Sequence, residues 1–453
     1  MAHFTGPCLT LAGPGSGKTH TLTCRIRHLI DRHQVPPEKI LVITFTRAAA
    51  MEMRQRFVSL MGEDLPVVFG TFHSVFFRML QEEYGLESDA LATGKMRLQL
   101  LREAASRCHV KSDRQDFFQV ISREFSYIKN TGIDPAEYHS REFPGIPMGR
   151  FFDAYEEQKE VYGLLDFDDM LTKTLSMFRE NPRILERWRG RFSFYLLDEV
   201  QDMNRLQFQI IRLLAHPHNN LFAVGDDDQS IYAFRGADPG LMLEFPKYYP
   251  DCRKILLEEN YRCSPQILSA ANNLIAHNGK RYAKKLHSAA EAGEAVSFCR
   301  YPTAQQEGEG LVRAIKDRLA AGEKPGDMAV LFRGRRQMLA FVPLFAREGI
   351  PFYLRDHVQN PLEHWAVRDV EAYLLLAETC RGRMDRSLLL QVMNRPARYL
   401  ARASLETEQV SFGGWKDFYR GKDWICERID LLQRQSYRSS SWMNRPLRSF
   451  GSN

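Results

Sequence analysis

The sequence predicts an α/β fold built on a parallel sheet, and three observations lead there. Short apolar runs alternate with helical patterns near the start of the chain, a glycine-rich turn joins the first run to the first helix, and the strand pattern returns after a long helical stretch. Cys8-Leu9-Thr10-Leu11-Ala12 reads as a buried strand running straight into Gly13-Pro14-Gly15-Ser16-Gly17, ahead of a helical pattern from Lys18 to Arg32. Ile40 to Phe45 repeats the strand signal, residues 48–53 open another helix, and Val67 to Phe72 forms a third strand.

From about Phe76 to Arg183 the strand signal fades and amphipathic, charge-rich segments take over, such as Met96 to Cys108 and Phe151 to Val161. They predict a helical insertion. Phe194 to Leu197 and Leu221 to Val224 then return the chain to the first sheet. After Asn260, a helix from Pro265 to His277 and a polar stretch from Lys280 to Glu294 lead to strands expected at Ala295–Cys299 and Met328–Phe332, with a helix between them. A second α/β domain is expected there. Beyond about Arg381 the chain turns polar and Arg-rich, and it reads as poorly ordered.

The 453 residues exceed what one core usually serves, and the 44% hydrophobic content suffices for more than one. No run of about 18 apolar residues is present to span a bilayer, and the first residues lack a secretory pattern, so a cytosolic protein without a membrane partner is expected. Eight scattered cysteines without a CxxC pair predict reduced, mostly buried thiols. The net charge of +6 is compatible with a polyanionic partner, but so modest a basic excess more often describes a solvated surface.

Ala12 to Thr19 is a P-loop with Ala in place of the first glycine. In such a loop, backbone N–H groups from Gly13, Gly15, Ser16 and Gly17 surround the β-phosphate, because any larger side chain holds the backbone away. Lys18 carries charge to the β- and γ-phosphates, and the Thr19 hydroxyl is placed to ligate Mg²⁺. The loop alone says only nucleotide triphosphate binding, since kinases, transporters and GTPases share it. Tyr195 to Asp202 adds acidic residues at the tip of a buried strand. There Asp198 is expected to hold Mg²⁺ and Glu199 to orient and deprotonate the attacking water, chemistry that suits hydrolysis.

An ordered series of segments then resembles a known family. Residues 12–19 resemble its motif I, Thr44 to Met53 its motif Ia, and Gly70-Thr71-Phe72-His73-Ser74 follows at the expected place. Leu165-Asp166-Phe167-Asp168-Asp169-Met170 is similar to an acidic signature near the end of the insertion. Asp198 to Asp202 resembles motif II, Gly225 to Ala237 motif III and Leu257 to Cys263 motif IV. The chain is thereby identified as similar to the N-terminal part of the UvrD/Rep/PcrA-type superfamily 1 DNA helicases.

The resemblance implies a RecA-like P-loop NTPase domain at residues 1–85 and 185–262, a helical insertion at 86–184, a partial second RecA-like domain at 263–385 and the start of a second helical insertion at 386–453. It implies ATP and Mg²⁺ as cofactors and single-stranded DNA, or its junction with duplex, as partner. It assigns Gln229 to sensing the γ-phosphate, Arg262 to contacting it, Tyr261 to stacking on adenine and Gln201 to a hydrogen-bond chain from the phosphates to DNA. Phe45, Tyr232 and Phe234 become base-stacking candidates, and Arg47, His73 and Arg235 backbone contacts. The basic run Arg333 to Arg336 reads equally as a nucleotide or DNA contact and as a solvated loop.

Two departures accompany the likeness. His20 stands where relatives carry an Arg near the base, and Phe234 where close relatives have Trp. Nothing like motifs V and VI appears before Asn453, so an unfinished second motor domain is expected, with a C-terminal helicase fragment or repair and replication proteins as further partners.

Overall fold

The computed structural model describes residues 3–112, 114, 116–233, 236–355, 365–379 and 383–443, with the side chains of all but 88, 335–336 and 435–443. The chain divides into two compact units, Met1–Ser297 and Phe298–Asn453. In the first, strands β1 (Cys8–Ala12), β2 (Ile40–Thr44), β3 (Val68–Thr71), β4 (Phe194–Leu197), β5 (Leu221–Gly225) and β6 (Arg253–Leu257) form one parallel sheet in the order β3-β2-β4-β5-β1-β6. Cys8 lies opposite both Phe222 and Arg253, and Ile40 opposite Phe194.

Strand side chains alternate between two apolar layers, as a sheet covered on both faces requires. Leu9, Leu11, Leu41, Ile43, Tyr195 and Leu197 join one core, whereas Cys8, Ala12, Ile40, Val42, Phe194 and Leu196 join the other. Helices α1 (Lys18–His33) and α2 (Arg47–Met61) cover the second face with Leu22, Ile26, Met53 and Phe57. The first face receives α3 (Phe72–Tyr84), α7 (Asp169–Glu180), α8 (Pro182–Arg191), α9 (Arg205–Ala215) and α10 (Gly240–Tyr248). Helix starts follow the polar residue ahead of each: the Thr46 hydroxyl accepts from Ala49 N–H, and Thr71 with Ser74 and Asn204 with Gln207 form reciprocal caps.

Between β3 and β4 runs the insertion. Its helices α4 (Gly94–Arg107), α5 (Phe117–Thr131) and α6 (Met148–Val161) pack Leu100, Leu101, Ile121, Phe125, Phe151 and Tyr155 into a separate core. The acidic signature proves to be internal scaffolding. Lys129 Nζ donates to Asp166 at 2.9 Å and Asp169 at 2.7 Å, Lys159 Nζ to Asp169 at 2.6 Å, and both ammoniums lie 2.8 Å from Glu156. Asp168 accepts from Ser126 and from Asn130, and Asn204 at the cap of α9 donates to Asn130 Oδ1 at 2.8 Å. That last amide pair joins the insertion to the sheet-bearing part of the unit.

Residues beyond β6 correct several expectations. Ala295–Cys299 and Met328–Phe332 are not strands. Among the described residues no neighbouring strand takes up their backbone N–H and C=O groups, and Phe298 and Leu331 are 93% and 92% exposed. The helix expected between them is present as α12 (Ala304–Ala320). The stretch from residue 386, expected to begin a helical insertion that is truncated or poorly ordered, holds α15 (Arg386–Val392), α16 (Phe412–Phe418) and α17 (Asp423–Met443) around Leu389, Trp415, Ile425, Ile429 and Leu432. Its many arginines mask the apolar spacing of Ile425, Ile429 and Leu432, which is that of one helix face. The thiols are free, but only Cys8 is buried; Cys299 is exposed and five others are half-buried, while Cys380 lies outside the described residues. Among the described residues no helix is long and apolar enough to cross a membrane.

Removing one of the two ammoniums leaves Glu156, Asp166 and Asp169 to share a single cation. Lys129→Met is expected to lower stability by about 3–5 kcal/mol in urea unfolding at pH 7. The deficit should shrink toward about pH 4, as the unpaired acids take up protons in the folded variant.

Candidate nucleotide and nucleic-acid site

Apart from the acidic run at residues 165–170, every segment singled out in the first unit follows the carboxyl end of a strand. The phosphate loop leaves β1 and enters α1 through Gly17, whose φ of 83° and ψ of 33° are left-handed; Gly15 has φ 71°. Gly15 is further constrained, because a Cβ there would stand 2.7 Å from Arg262 Cβ and 3.1 Å from Asn260 Nδ2. Ser16 N–H donates to Gly13 O at 3.3 Å, and Ser16 Oγ donates to the same oxygen at 2.7 Å. The loop is thus closed on itself at the start of a helix, with backbone donors and the positive end of the helix dipole facing one point.

Beside it, β4 delivers the acids. Glu199 lies in the left-handed region at φ 51°, an uncommon place for a side-chain-bearing residue and one often found at functional sites. Its Oε2 accepts from Lys18 Nζ at 2.9 Å and from Gln201 Nε2 at 2.8 Å. Asp198 is 5% exposed, and its Oδ1 has no hydrogen-bond partner among the described residues. Burial, aided by the Glu199 charge and opposed by Lys18, pushes its carboxyl up to about 7. Asp202 is raised to about 6 by burial and Glu199 in the same way. Lys18 and Gln201 are thus both brought onto Glu199.

The turn after β5 continues the chain of contacts. Gln201 Oε1 accepts from Asp226 N–H at 3.0 Å, and Asp226 Oδ2 accepts from Gln229 Nε2 at 2.6 Å. Gln229 is thus engaged by its own turn. From the other side, Asn260 in the short strand β7 (Glu259–Asn260) clamps the phosphate loop: it is fully buried and donates to Pro14 O at 2.5 Å, while Tyr261 N–H donates to Gly15 O at 3.0 Å. Asn260 Oδ1 accepts from Arg262 and Cys263 N–H at 2.9 and 2.8 Å. Sequence reasoning gave Asn260 no role, although its place between Glu259 and Tyr261 in a matched segment was the available signal.

The remaining candidates are dispersed around this edge. Tyr261 is 64% exposed and donates from its hydroxyl to Glu259 at 3.2 Å; Arg262 is exposed beside Gly15. Thr19 is half-buried in the first turn of α1, and His20 is exposed with Nε2 3.4 Å from Cys24 Sγ. Phe45 and Tyr232 stack on each other, with ring centroids 5.1 Å apart and planes 27° from parallel. Arg47 is exposed at the start of α2. His73, at the start of α3, is half-buried with its ring edge-on to Phe167. Burial lowers its pKa despite Asp168, so it is neutral near pH 7. Phe234 and Arg235 lie outside the described residues, as do the side chains of Arg335 and Arg336.

Residues 1–250 match the model of the UvrD/REP helicase N-terminal domain, and residues 255–411 that of the UvrD-like helicase C-terminal domain. The chain is 34% identical over 410 residues to YjcD of Bacillus subtilis, covering 89% of this chain and 53% of that protein. It is 33% identical over 413 residues to the ATP-dependent DNA helicase PcrA of Staphylococcus epidermidis and over 416 residues to that of Staphylococcus aureus, in each case 89% of this chain and 56% of the relative. The chain spans about half the length of these relatives.

The raised Asp198 pKa has a measurable consequence. A carboxyl whose folded value lies above its unfolded one costs stability once ionised, and that cost vanishes as pH falls to the unfolded value. Asp198→Asn is therefore expected to raise the thermal midpoint of the ligand-free protein at pH 8, with a gain that shrinks steadily between about pH 7 and pH 4.

Proposed function

The chain belongs to the UvrD/REP helicase family, and from that premise we propose that it forms an ATP-dependent DNA motor, coupling ATP hydrolysis to 3′-to-5′ movement on single-stranded DNA and to unwinding at its junction with duplex. The observation that carries the proposal is the convergence of Lys18 and Gln201 on one Glu199 carboxylate oxygen beside the phosphate loop. Phosphates seated against the N–H groups of Gly13 to Thr19 compete for the Lys18 ammonium and draw it from Glu199. Glu199 is then released to accept a proton from water. That water attacks the γ-phosphorus, the bond to the β–γ bridging oxygen breaks, and ADP and phosphate result.

The donors present fit a hard divalent cation. Asp198 offers a buried carboxylate oxygen without a protein partner, and Thr19 a hydroxyl at the start of α1. Mg²⁺ held there supplies neutralising charge for the β- and γ-phosphate oxygens. Arg262 is assigned to the γ-phosphate, Gln229 to reporting its presence, and Tyr261 with His20 to the nucleoside end.

For DNA, the stacked Phe45 and Tyr232 offer ring faces at the edge of the sheet that also carries the phosphate loop. Arg47, His73, Phe234 and Arg235 complete the proposed strand contact, and a base stacked on such a platform gains about 1–3 kcal/mol.

Hydrolysis measured with and without single-stranded DNA tests the assignment. Glu199→Gln is expected to lower kcat by about 10²–10⁴-fold with nucleotide binding retained, and Lys18→Ala to weaken binding of ATP and ADP. Unchanged hydrolysis in both variants removes the assigned chemistry. Phe45→Ala should raise the DNA concentration that gives half-maximal stimulation by about tenfold. Strands blocked at one end or the other report the direction of movement.

A further inference from the structure

The polar stretch after α11 (Pro265–Ile275) carries contacts that the assigned chemistry does not use. Lys284 lies with its side chain 2% exposed among three consecutive acids. Its Nζ donates to Asp226 Oδ1 and, at 2.6 Å, to Asp227 Oδ1, and lies 3.0 Å from Asp228 Oδ2. Arg281 grips both Asp228 oxygens at 2.8 and 2.7 Å, and Tyr282 N–H donates to Asp227 Oδ2 at 2.6 Å. Three neighbouring carboxylates could in principle gather a metal ion, but the ammonium already stands among them.

Asp226 is the branch point. Its Oδ1 accepts from the Lys284 ammonium, its Oδ2 accepts from the Gln229 amide, and its backbone N–H donates to Gln201, which reaches Glu199 and hence Lys18. The same stretch continues to the phosphate loop. Leu286 packs so close to Gly13 that a Cβ there would stand 2.5 Å from Leu286 Cδ2. His287–Ser288 forms strand β8, pairing in parallel with β7, and Ala289 N–H donates to O of Asn260, the residue that clamps Pro14.

We propose that Lys284 is a positioning residue that sets Gln229 through Asp226, and that residues 281–289 form a strap tying the Gln229 turn to the phosphate loop. The proposal rests on the assignment of Gln229 to the γ-phosphate. With Lys284 in place, Asp226 is fixed from one side, and the Gln229 amide has a single anchored resting position from which it meets an incoming γ-phosphate. Without the ammonium, Asp226 Oδ1 loses its lysine donor, the carboxylate is free to turn, and the amide loses its anchor. Lys284 touches neither nucleotide nor water in this account.

Equilibrium binding of ADP and of a non-hydrolysable ATP analogue to the full chain tests the proposal without requiring turnover. Gln229→Ala is expected to cut the preference for the analogue over ADP by about tenfold, the loss of one amide bond to a charged phosphate. Lys284→Met should do the same, leaving ADP affinity within about twofold, and Lys284→Arg should restore most of the preference. The double variant should be no worse than either single one, because both act on one contact. Should Lys284→Met fail to fold, Lys284→Met combined with Asp227→Asn and Asp228→Asn removes the repulsion with the cation and should show the same loss.

A wild-type preference in either folded variant, or single effects that multiply in the double variant, overturns the proposal. An unchanged preference in Gln229→Ala overturns it together with the sensing role. Lys18→Ala that binds both nucleotides normally instead removes the nucleotide site itself, which distinguishes the two failures.

Discussion

Strands that all run the same way share a carboxyl edge, and the candidate site is a consequence of that constraint. The phosphate loop follows β1, Phe45 follows β2, His73 follows β3, Asp198 and Glu199 follow β4, and Gln229 follows β5. Residues far apart in sequence meet there because alternation along the inner strands buries both sheet faces and so fixes the register. Shifting one strand by a residue would exchange its two apolar faces and turn its terminal side chain away from its partners.

Charge holds the edge in place. Lys18 is paired with Glu199, and Lys284 and Arg281 answer three consecutive acids, while Asp198 and Asp202 are left in surroundings that favour the neutral form. Buried ion pairs add little net stability compared with well-packed apolar groups, but they penalise every arrangement in which a charge is stranded. The clusters around Lys129 and Lys284 are therefore better understood as devices of geometry than of stability. An incoming triphosphate brings negative charge to a place where one ammonium is already shared, and the partition of that ammonium decides the state of Glu199.

Much of this was legible in the sequence. The P-loop, the acid pair and the strands that carry them were fixed by local patterns: glycines where backbone must approach a ligand, apolar runs where a sheet is covered twice. Local patterns could not reveal Lys284 or Asn260, because each acts on a residue distant in the chain and neither belongs to a periodic face. The acidic run at residues 165–170 was visible as a signature, but its partners Lys129 and Lys159 lie on other helices, so its internal role had to come from packing. The expected strands at 295–299 and 328–332 show the opposite failure. Their apolar content satisfied a strand pattern, yet a strand exists only where a neighbour accepts its hydrogen bonds.

The amide pair between Asn130 and Asn204 places the attachment of the insertion at a mechanically sensitive spot. Asn204 also closes the first turn of α9 through Gln207, and it stands two residues beyond Asp202. Tilting α5 away from the sheet means giving up that amide contact and loosening the helix cap with it. The insertion is thereby anchored where the acidic segment passes into α9, within a few residues of the carboxylates at the end of β4.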